Sequence, residues 1–388
     1  MLKLPKGFSV YTTSASIKKP GRKDIGFILS TTPATYSGVF TKNRIKAAPV
    51  KLCMEYLEKK RAIRLVMVNS GNANACTGED GINDAKYLID KISARFGLSP
   101  KETIALSTGV IGVRLPVEKM EESFSRIVSD EPQKFARAIM TTDTFPKYCY
   151  KEVKIDGKIV TITGFAKGSG MIHPNMGTML GFILTDAIIN RKDAQVILKQ
   201  ITENSFNKIS VDGDMSTNDS LIFLANGEAK VKIKRKNKDF FNALLDLTKE
   251  LSYMVVKDGE GATKVIKIIV KNAYSFSDAD TIARSIANSL LVKTAFFGND
   301  PNWGRIIAAV GYSNAKKIDE NRIDIYFNET KVFENGRPLP FDKTSLSESM
   351  KSKENSISVD MKIGKFNTEF FTCDISYDYV KINAEYTT

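Results

Sequence analysis

The chain has 388 residues, 42% hydrophobic and 26% charged, with a formal net charge of +13, four cysteines and one histidine. Such proportions belong to a globular protein with a real core, and its apolar stretches, strand-sized and broken by Lys, Asp or Gly, argue against a membrane span. With His173 as the only imidazole, Ser-His-Asp and Cys-His catalysis and most zinc sites are left almost without the group they need.

The cysteines (Cys53, Cys76, Cys149, Cys373) lie far apart without a CxxC pair. They read as buried thiols in a reducing compartment rather than as a disulfide or zinc framework. The start, Met-Leu-Lys-Leu-Pro-Lys-Gly, lacks the apolar run of a secretory leader, so a cytoplasmic location is expected. Lys and Arg are spread along the chain, and the densest run, 232–238 (KIKRKNK), reads as a solvated strand end entering a turn. No nucleic-acid partner is expected; the positive balance also suits anionic small molecules.

In chain order, strand-like and helix-like pieces alternate, which predicts an α/β or α+β fold. Residues 64–68 (RLVMV) predict a short buried strand running into an Asn/Gly-rich turn over 69–74. From Asn83, apolar residues at 85, 88, 89, 92 and 96 keep helical spacing, and Gly97 supplies a stop. Asp193 is expected to cap a second helix with Val196, Ile197 and Ile201. A third is expected over 239–255, and a fourth over 277–291 with Ile282, Ile286 and Leu290 on one face. The segments 322–327, 356–363 and 366–375 alternate apolar and polar residues as half-buried strands do, and Asn335-Gly336 between the first two predicts a type I′ hairpin. Helices packed on sheets, with a sheet-rich last third from about 275 to 388, is the expected plan.

The most unusual stretch is 164–186, GFAKGSGMIHPNMGTMLGFILTD. It contains neither a GxxxxGK[ST] phosphate loop nor a GxGxxG fingerprint. Residues 179–185 read as a fully buried strand, which places Thr178 at its start after a Pro-Asn-Met-Gly turn. An N-terminal Thr, Ser or Cys can use its own α-amine as base, because that amine has a reference pKa of about 8. Cleavage of the Gly177–Thr178 bond would create such a nucleophile without histidine, and Gly177 tolerates backbone conformations strained for other residues. The acids Asp212, Asp214 and Asp219 miss the calcium-loop spacing and read as turn caps and hydrogen-bonding groups near the site rather than metal ligands. Trp303 reads as packing within a turn.

The stretch 167–180, KGSGMIHPNMGTML, resembles the cleavage-site signature of the ornithine acetyltransferase (glutamate N-acetyltransferase) family of arginine biosynthesis. The resemblance runs along the chain: GVFT at 38–41, AAPV at 47–50, NSGNAN at 69–74, STGVIG at 107–112, TTDT at 141–144, DGDMSTN at 212–218, DGEGAT at 258–263, NDPNWGR at 299–305 and INAEYTT at 382–388. It implies a sandwich like that of N-terminal-nucleophile enzymes and two fragments, 1–177 carrying the oxyanion hole and 178–388 beginning with the nucleophile. Thr178 would carry the acetyl group, Thr108 and Gly109 would form the oxyanion hole, and Thr142, Lys167, Thr178, Glu260, Asn383 and Thr388 would bind substrate. Lys167 suits an α-carboxylate and Glu260 an amino group. The implied reaction moves acetyl from N2-acetylornithine to L-glutamate, with no bound cofactor or metal; acetyl-CoA is a second donor in some members. The implied assembly holds two copies of each fragment. In one departure, Gly177 stands where the family often has Ala. The rival reading is a self-processing aminopeptidase or amidohydrolase with the same kind of nucleophile, which sends the acyl group to water.

Overall fold

The computed structural model describes residues 2–18, 21–173 and 179–385. Gly177, Thr178 and Thr388, with the turn before Thr178, lie outside the described residues. The chain forms two compact units, one from residues up to Asn207 with Asp214–Val255, the other from Lys208–Gly213 and the chain from Val256 onward. Residues on both sides of the expected cut belong to the first unit; a covalent break and a packing boundary are different divisions of the chain.

The first unit is built on one large mixed sheet. Its order is Thr103–Val110, Ile63–Asn72, Ile25–Phe40, Ser220–Ala225, Leu180–Thr185, Lys158–Lys167 and Lys147–Ile155. The 16-residue strand Ile25–Phe40 joins the two halves: its first part pairs with Ile63–Asn72, its second with Ser220–Ala225. Leu180–Thr185 is buried throughout and lies parallel to Ser220–Ala225 and antiparallel to Lys158–Lys167. It is the strand expected after Thr178. The Ile63–Asn72 strand continues through Asn69–Asn72, where a turn was expected, because the parallel neighbour Thr103–Val110 runs beside it to Gly109.

Helices cover this sheet with their apolar stripes. Gly78–Arg95 buries Ala85, Leu88, Ile89 and Ile92, carries Glu79 and Asp80 at its positive end, and stops before Gly97 at φ +65°. Arg191–Glu203 is capped by Asn190, not Asp193: the Asn190 side chain accepts the Asp193 N–H, which places Asp193 in the first turn. Lys238–Lys257 is the expected third helix. Just before it, Lys232–Ile233 forms a short strand, as the basic run suggested. Cys53 and Cys149 are buried, but Cys76 is exposed, contrary to the expectation of four buried thiols. Cys76 follows the strand end with φ +57°, outside the packed layers.

The second unit is also helices on a sheet. Its order is Ile209–Ser210, Phe366–Cys373, Val265–Ala273, Glu354–Asp360, Asp324–Phe327, Thr330–Glu334 and Arg337–Pro338. The helix Phe276–Asn288 packs Ile282, Ala283 and Ile286 onto this sheet, into a core with Ile268, Ile357 and Phe370. It ends earlier than the periodicity suggested. Ser289 is extended and its side chain accepts the Val292 N–H, so a separate helix starts at Leu290, and Leu290 is exposed rather than core. Asn335-Gly336, both at positive φ as a type I′ turn requires, closes a small hairpin between Thr330–Glu334 and Arg337–Pro338, not between the 322–327 and 356–363 segments as expected. Trp303 packs on Phe333 with ring centroids 5.0 Å apart. The fold class read from the sequence, mixed α/β with helices on sheets, is the one observed. No described helix is long and apolar enough to cross a membrane.

Candidate active site

In the first unit, three chain segments meet at strand ends. The parallel strands Ile63–Asn72 and Thr103–Val110 run side by side to the Gly71–Gly109 pair. Gly109 has φ +135°, and a Cβ there would lie 2.3 Å from the Gly71 carbonyl carbon. Only glycine fits, so the backbone at 108–109 is held where no side chain competes for space. A net of amides fixes these ends. Ser107 Oγ donates to Asn69 Oδ1 at 2.6 Å, and Asn218 Nδ2 donates to the carbonyls of Ala73 (2.7 Å) and Ser107 (2.9 Å).

Lys167 ends its strand opposite Leu180 in the ladder. Lys167 is 3% exposed, and its ammonium donates to Thr141 Oγ1 at 2.7 Å and Thr108 Oγ1 at 3.1 Å. An ammonium has donors only, so Thr108 accepts from it and the Thr108 hydroxyl hydrogen is left to donate elsewhere. A hydroxyl polarised in this way beside a backbone amide suits a developing oxyanion.

The loop before Lys147 completes the site. Thr142 and Ser169 share a hydrogen bond of 2.7 Å between hydroxyls. Asp143 accepts from Lys147 Nζ (2.6 Å), the Gly168 N–H (2.7 Å) and the Thr141 N–H (2.9 Å). Burial opposes ionisation of Asp143, yet the charges of Lys147 and Lys167 with the Gly168 amide outweigh it and hold the carboxyl well below its usual range. Asp143 therefore orients both the 141–142 turn and the 167–169 turn as a carboxylate.

Asp219 behaves in the opposite way. It sits just before Ser220–Ala225 and accepts the Met179 N–H on Oδ1 at 3.0 Å, while Thr41 N–H binds its own carbonyl. Burial pushes the carboxyl well above its usual range, and the Thr41 hydroxyl, the Met179 amide and Lys167 offset this only in part. Asp219 thus places an acid of raised pKa at the peptide nitrogen that follows Thr178.

The first unit thus brings together Thr108, Gly109, Thr142 and Lys167, all named from the sequence. In the second unit Glu260 and Asn383 meet: Asn383 Nδ2 donates to Glu260 Oε2 and to the Tyr379 carbonyl, each at 3.0 Å. Gly261 makes this possible, since a Cβ there would lie 2.3 Å from the Tyr379 nitrogen. Sequence reasoning missed Asp143 and Lys147 as functional groups. The TTDT motif at 141–144 pointed to the segment but not to its buried ion pair. Asp219 was expected as a hydrogen-bonding residue near the site, which the Met179 contact bears out.

A threonine hydroxyl and a glycine amide at a strand end, with a buried ammonium turned onto the hydroxyl, suit the oxyanion of an acyl-transfer enzyme on a mixed α/β fold. The model of the ArgJ family matches residues 9–388. The chain is 48% identical over 399 residues to the arginine biosynthesis bifunctional protein ArgJ of Caldanaerobacter subterraneus, covering 100% of this chain and 98% of that protein. The ArgJ protein of Thermotoga neapolitana is 46% identical over 397 residues, covering 99% and 100%. A crystal structure of the Bacillus halodurans arginine biosynthesis bifunctional protein ArgJ superposes with a TM-score of 0.52 at 39% identity, over 54% of this chain and 100% of that chain. The chain belongs to the ArgJ family and is an N-acyltransferase.

Proposed function

We propose that the enzyme moves an acetyl group from N2-acetylornithine to L-glutamate through an acetyl ester on Thr178, after self-cleavage at Gly177–Thr178. The observation that carries this reading is the Lys167 ammonium on Thr108 Oγ1 at 3.1 Å, on the residue that faces Leu180 in the ladder. It prepares an oxyanion donor next to the start of the strand that Thr178 precedes.

In maturation, Thr178 Oγ attacks the Gly177 carbonyl carbon, the Gly177–Thr178 C–N bond breaks, and water releases the ester, leaving Thr178 as a free N-terminus. Its α-amine then takes the Oγ proton as Oγ attacks the acetyl carbonyl. Thr108 O–H and Gly109 N–H stabilise the oxyanion. The C–N bond to ornithine breaks as the proton passes to the departing amine. The neutral amine of glutamate attacks the ester, and Oγ recovers its proton. Lys167 takes the substrate α-carboxylate, with Thr142 and Ser169 beside it. The Glu260–Asn383 pair suits a cationic amine.

Two further observations support the reading. One whole solved chain of the Bacillus relative aligns over 54% of this chain, as a separate fragment of a cleaved precursor would. The relatives named bifunctional support acetyl-CoA as a second donor. The acetyl group travels on Thr178, so the reading requires no bound cofactor. Two copies of each fragment and a cytoplasmic location complete it.

The test is to incubate the purified protein with N2-acetylornithine, with and without glutamate, and identify the products. Ornithine with N-acetylglutamate is expected when both are present. Steady production of free acetate regardless of glutamate would overturn the transferase reading in favour of an amidohydrolase.

A further inference from the structure

A second concave site lies in the first unit beside the loop just described. It is a cavity of about 360 Å³ lined by Arg22, Lys23, Lys134, Arg137, Ala138 and Met140. Four of these six side chains are cations. Asp130 pairs with Lys23 at 2.6 Å and with Lys134 at 2.9 Å. Burial opposes its ionisation, but Lys23, Thr12 and Lys134 hold the carboxyl down at about 2, so it counts as one full negative charge. Arg22 and Arg137 take no ion pair among the described residues. Four cations against one carboxylate leave the cavity positive, and Arg22, Lys134 and Arg137 are exposed there, where an anion in solution can reach them.

The cavity is built rather than incidental. Lys134 and Arg137 stand three residues apart on the helix Pro132–Ala138, which puts them on one face. Arg22 is carried by the connection between Phe8–Thr13 and Ile25–Phe40. Asp24 accepts the N–H groups of Ala15 and Ile17, and the Ser14 hydroxyl donates to the Arg22 carbonyl, which fastens both ends of that connection. Arginines present planar forks that match phosphate oxygens, and they dominate phosphate recognition for that reason. The volume of about 360 Å³ lies within the range of small-molecule sites, roughly 300–1,000 Å³, and so has room for a diphosphate group.

The cavity also adjoins the acyl-transfer site. Met140 lines it, and the next three residues are Thr141, Thr142 and Asp143. The Lys18 ammonium donates to the Met140 carbonyl. Burial, and then the charges of Arg22 and Lys167, pull that ammonium down to about 8, so Lys18 feels one cation of the cavity and one of the catalytic site at once.

We propose that this cavity holds the phosphate groups of a nucleotide-bearing acyl thioester of the acetyl-CoA class, with Arg22 and Arg137 as the principal phosphate ligands. The assignment of the acyl chemistry rests on the transferase reading above; the anion site itself does not.

The experiment is calorimetric titration of the intact protein with coenzyme A, ADP and inorganic pyrophosphate. Wild type is compared with Arg22→Glu/Arg137→Glu and with the milder Arg22→Gln/Arg137→Gln, each first checked for an unchanged thermal midpoint. Coenzyme A is expected to bind wild type more weakly as salt is raised. Its affinity should fall about tenfold or more in the Glu variant and less in the Gln variant. The KM for acetyl-CoA should rise in parallel, while exchange between acetylornithine and glutamate stays at the wild-type rate. Coenzyme A that binds both variants like wild type, or does not bind at all, overturns the proposal. Tight binding of ADP in a protein that takes no acetyl from acetyl-CoA also overturns it, and makes the cavity a site for a free nucleotide. A protein that binds coenzyme A at these arginines but fails the acetylornithine exchange would refute the transferase reading and leave the anion site standing.

Discussion

The Met179 N–H donates to Asp219 Oδ1 at 3.0 Å, so a buried acid holds the peptide nitrogen that immediately follows Thr178. Burial raises the pKa of that acid above its usual range. Its folded pKa lies above the unfolded value, so its contribution to stability is fully present below about pH 4 and is lost as pH rises towards the folded value. Asp219→Asn keeps an acceptor for the Met179 N–H without this penalty. The variant should therefore gain stability relative to wild type between pH 4 and neutrality. Chemical denaturation at several pH values checks this; a difference that does not change with pH would contradict it.

Asp143 has the opposite sign. Its folded pKa is depressed, so its contribution is present above about pH 4 and disappears only as pH falls through the folded value. Lys147, with no exposed side-chain surface, has the Asp143 carboxylate as a salt-bridge partner. Asp143→Asn should cost about 3–5 kcal/mol at neutral pH, seen as a lower denaturant midpoint. Lys147→Met added to it should recover part of the loss. A neutral effect of Asp143→Asn would show that the pair does not organise the turns around Lys167.

Gly109→Ala tests the backbone of the proposed oxyanion hole. At φ +135° and 2.3 Å from the neighbouring strand, a methyl group forces the two strands apart. The variant should lose at least about 1 kcal/mol and most of its activity, read by thermal melting and by the acetyl exchange assay. Full activity would place the oxyanion elsewhere.

Thr108 and Lys167 should separate in steady-state kinetics. Thr108→Ala removes a donor to the transition state and should lower kcat by about 10²–10³ with little change in KM. Lys167→Met removes the proposed partner of the substrate carboxylate and should raise the KM for acetylornithine about tenfold or more. Equal effects on kcat and KM from both substitutions would argue that the contact between them is structural.

Much of this architecture is legible along the chain because its causes are local. The helical spacing of Ala85, Leu88, Ile89 and Ile92, and the unbroken apolar run before Thr185, depend only on which face is buried. Thr108, Gly109, Thr142 and Lys167 could be named because motifs carry them. The strand Ile25–Phe40 could not be read, since its middle, Ser30 to Thr35 around Pro33, has the composition of a loop. It bends there, at the register shift between Leu29 and Ala34, as it passes from one partner to the other. The Asp143–Lys147 pair was also hidden. Two opposite charges four residues apart read as a solvated pair on a helix, and only the surrounding sheet makes them a buried one. Ser289 was missed as a helix break because Ile286 before it and Leu290 after it preserve the apolar spacing.

The central claim is that Thr178 is a free N-terminus that carries acetyl. Intact-mass spectrometry tests it most directly, on wild type and Thr178→Ala, each mixed with N2-acetylornithine and no acceptor. Wild type should separate into fragments of roughly 20 and 23 kDa, with the larger one heavier by about 42 Da once the acetyl ester has formed. The variant should remain a single 43.1 kDa chain with no added mass. A wild-type protein that stays whole, and that makes N-acetylglutamate once glutamate is added, would contradict the account.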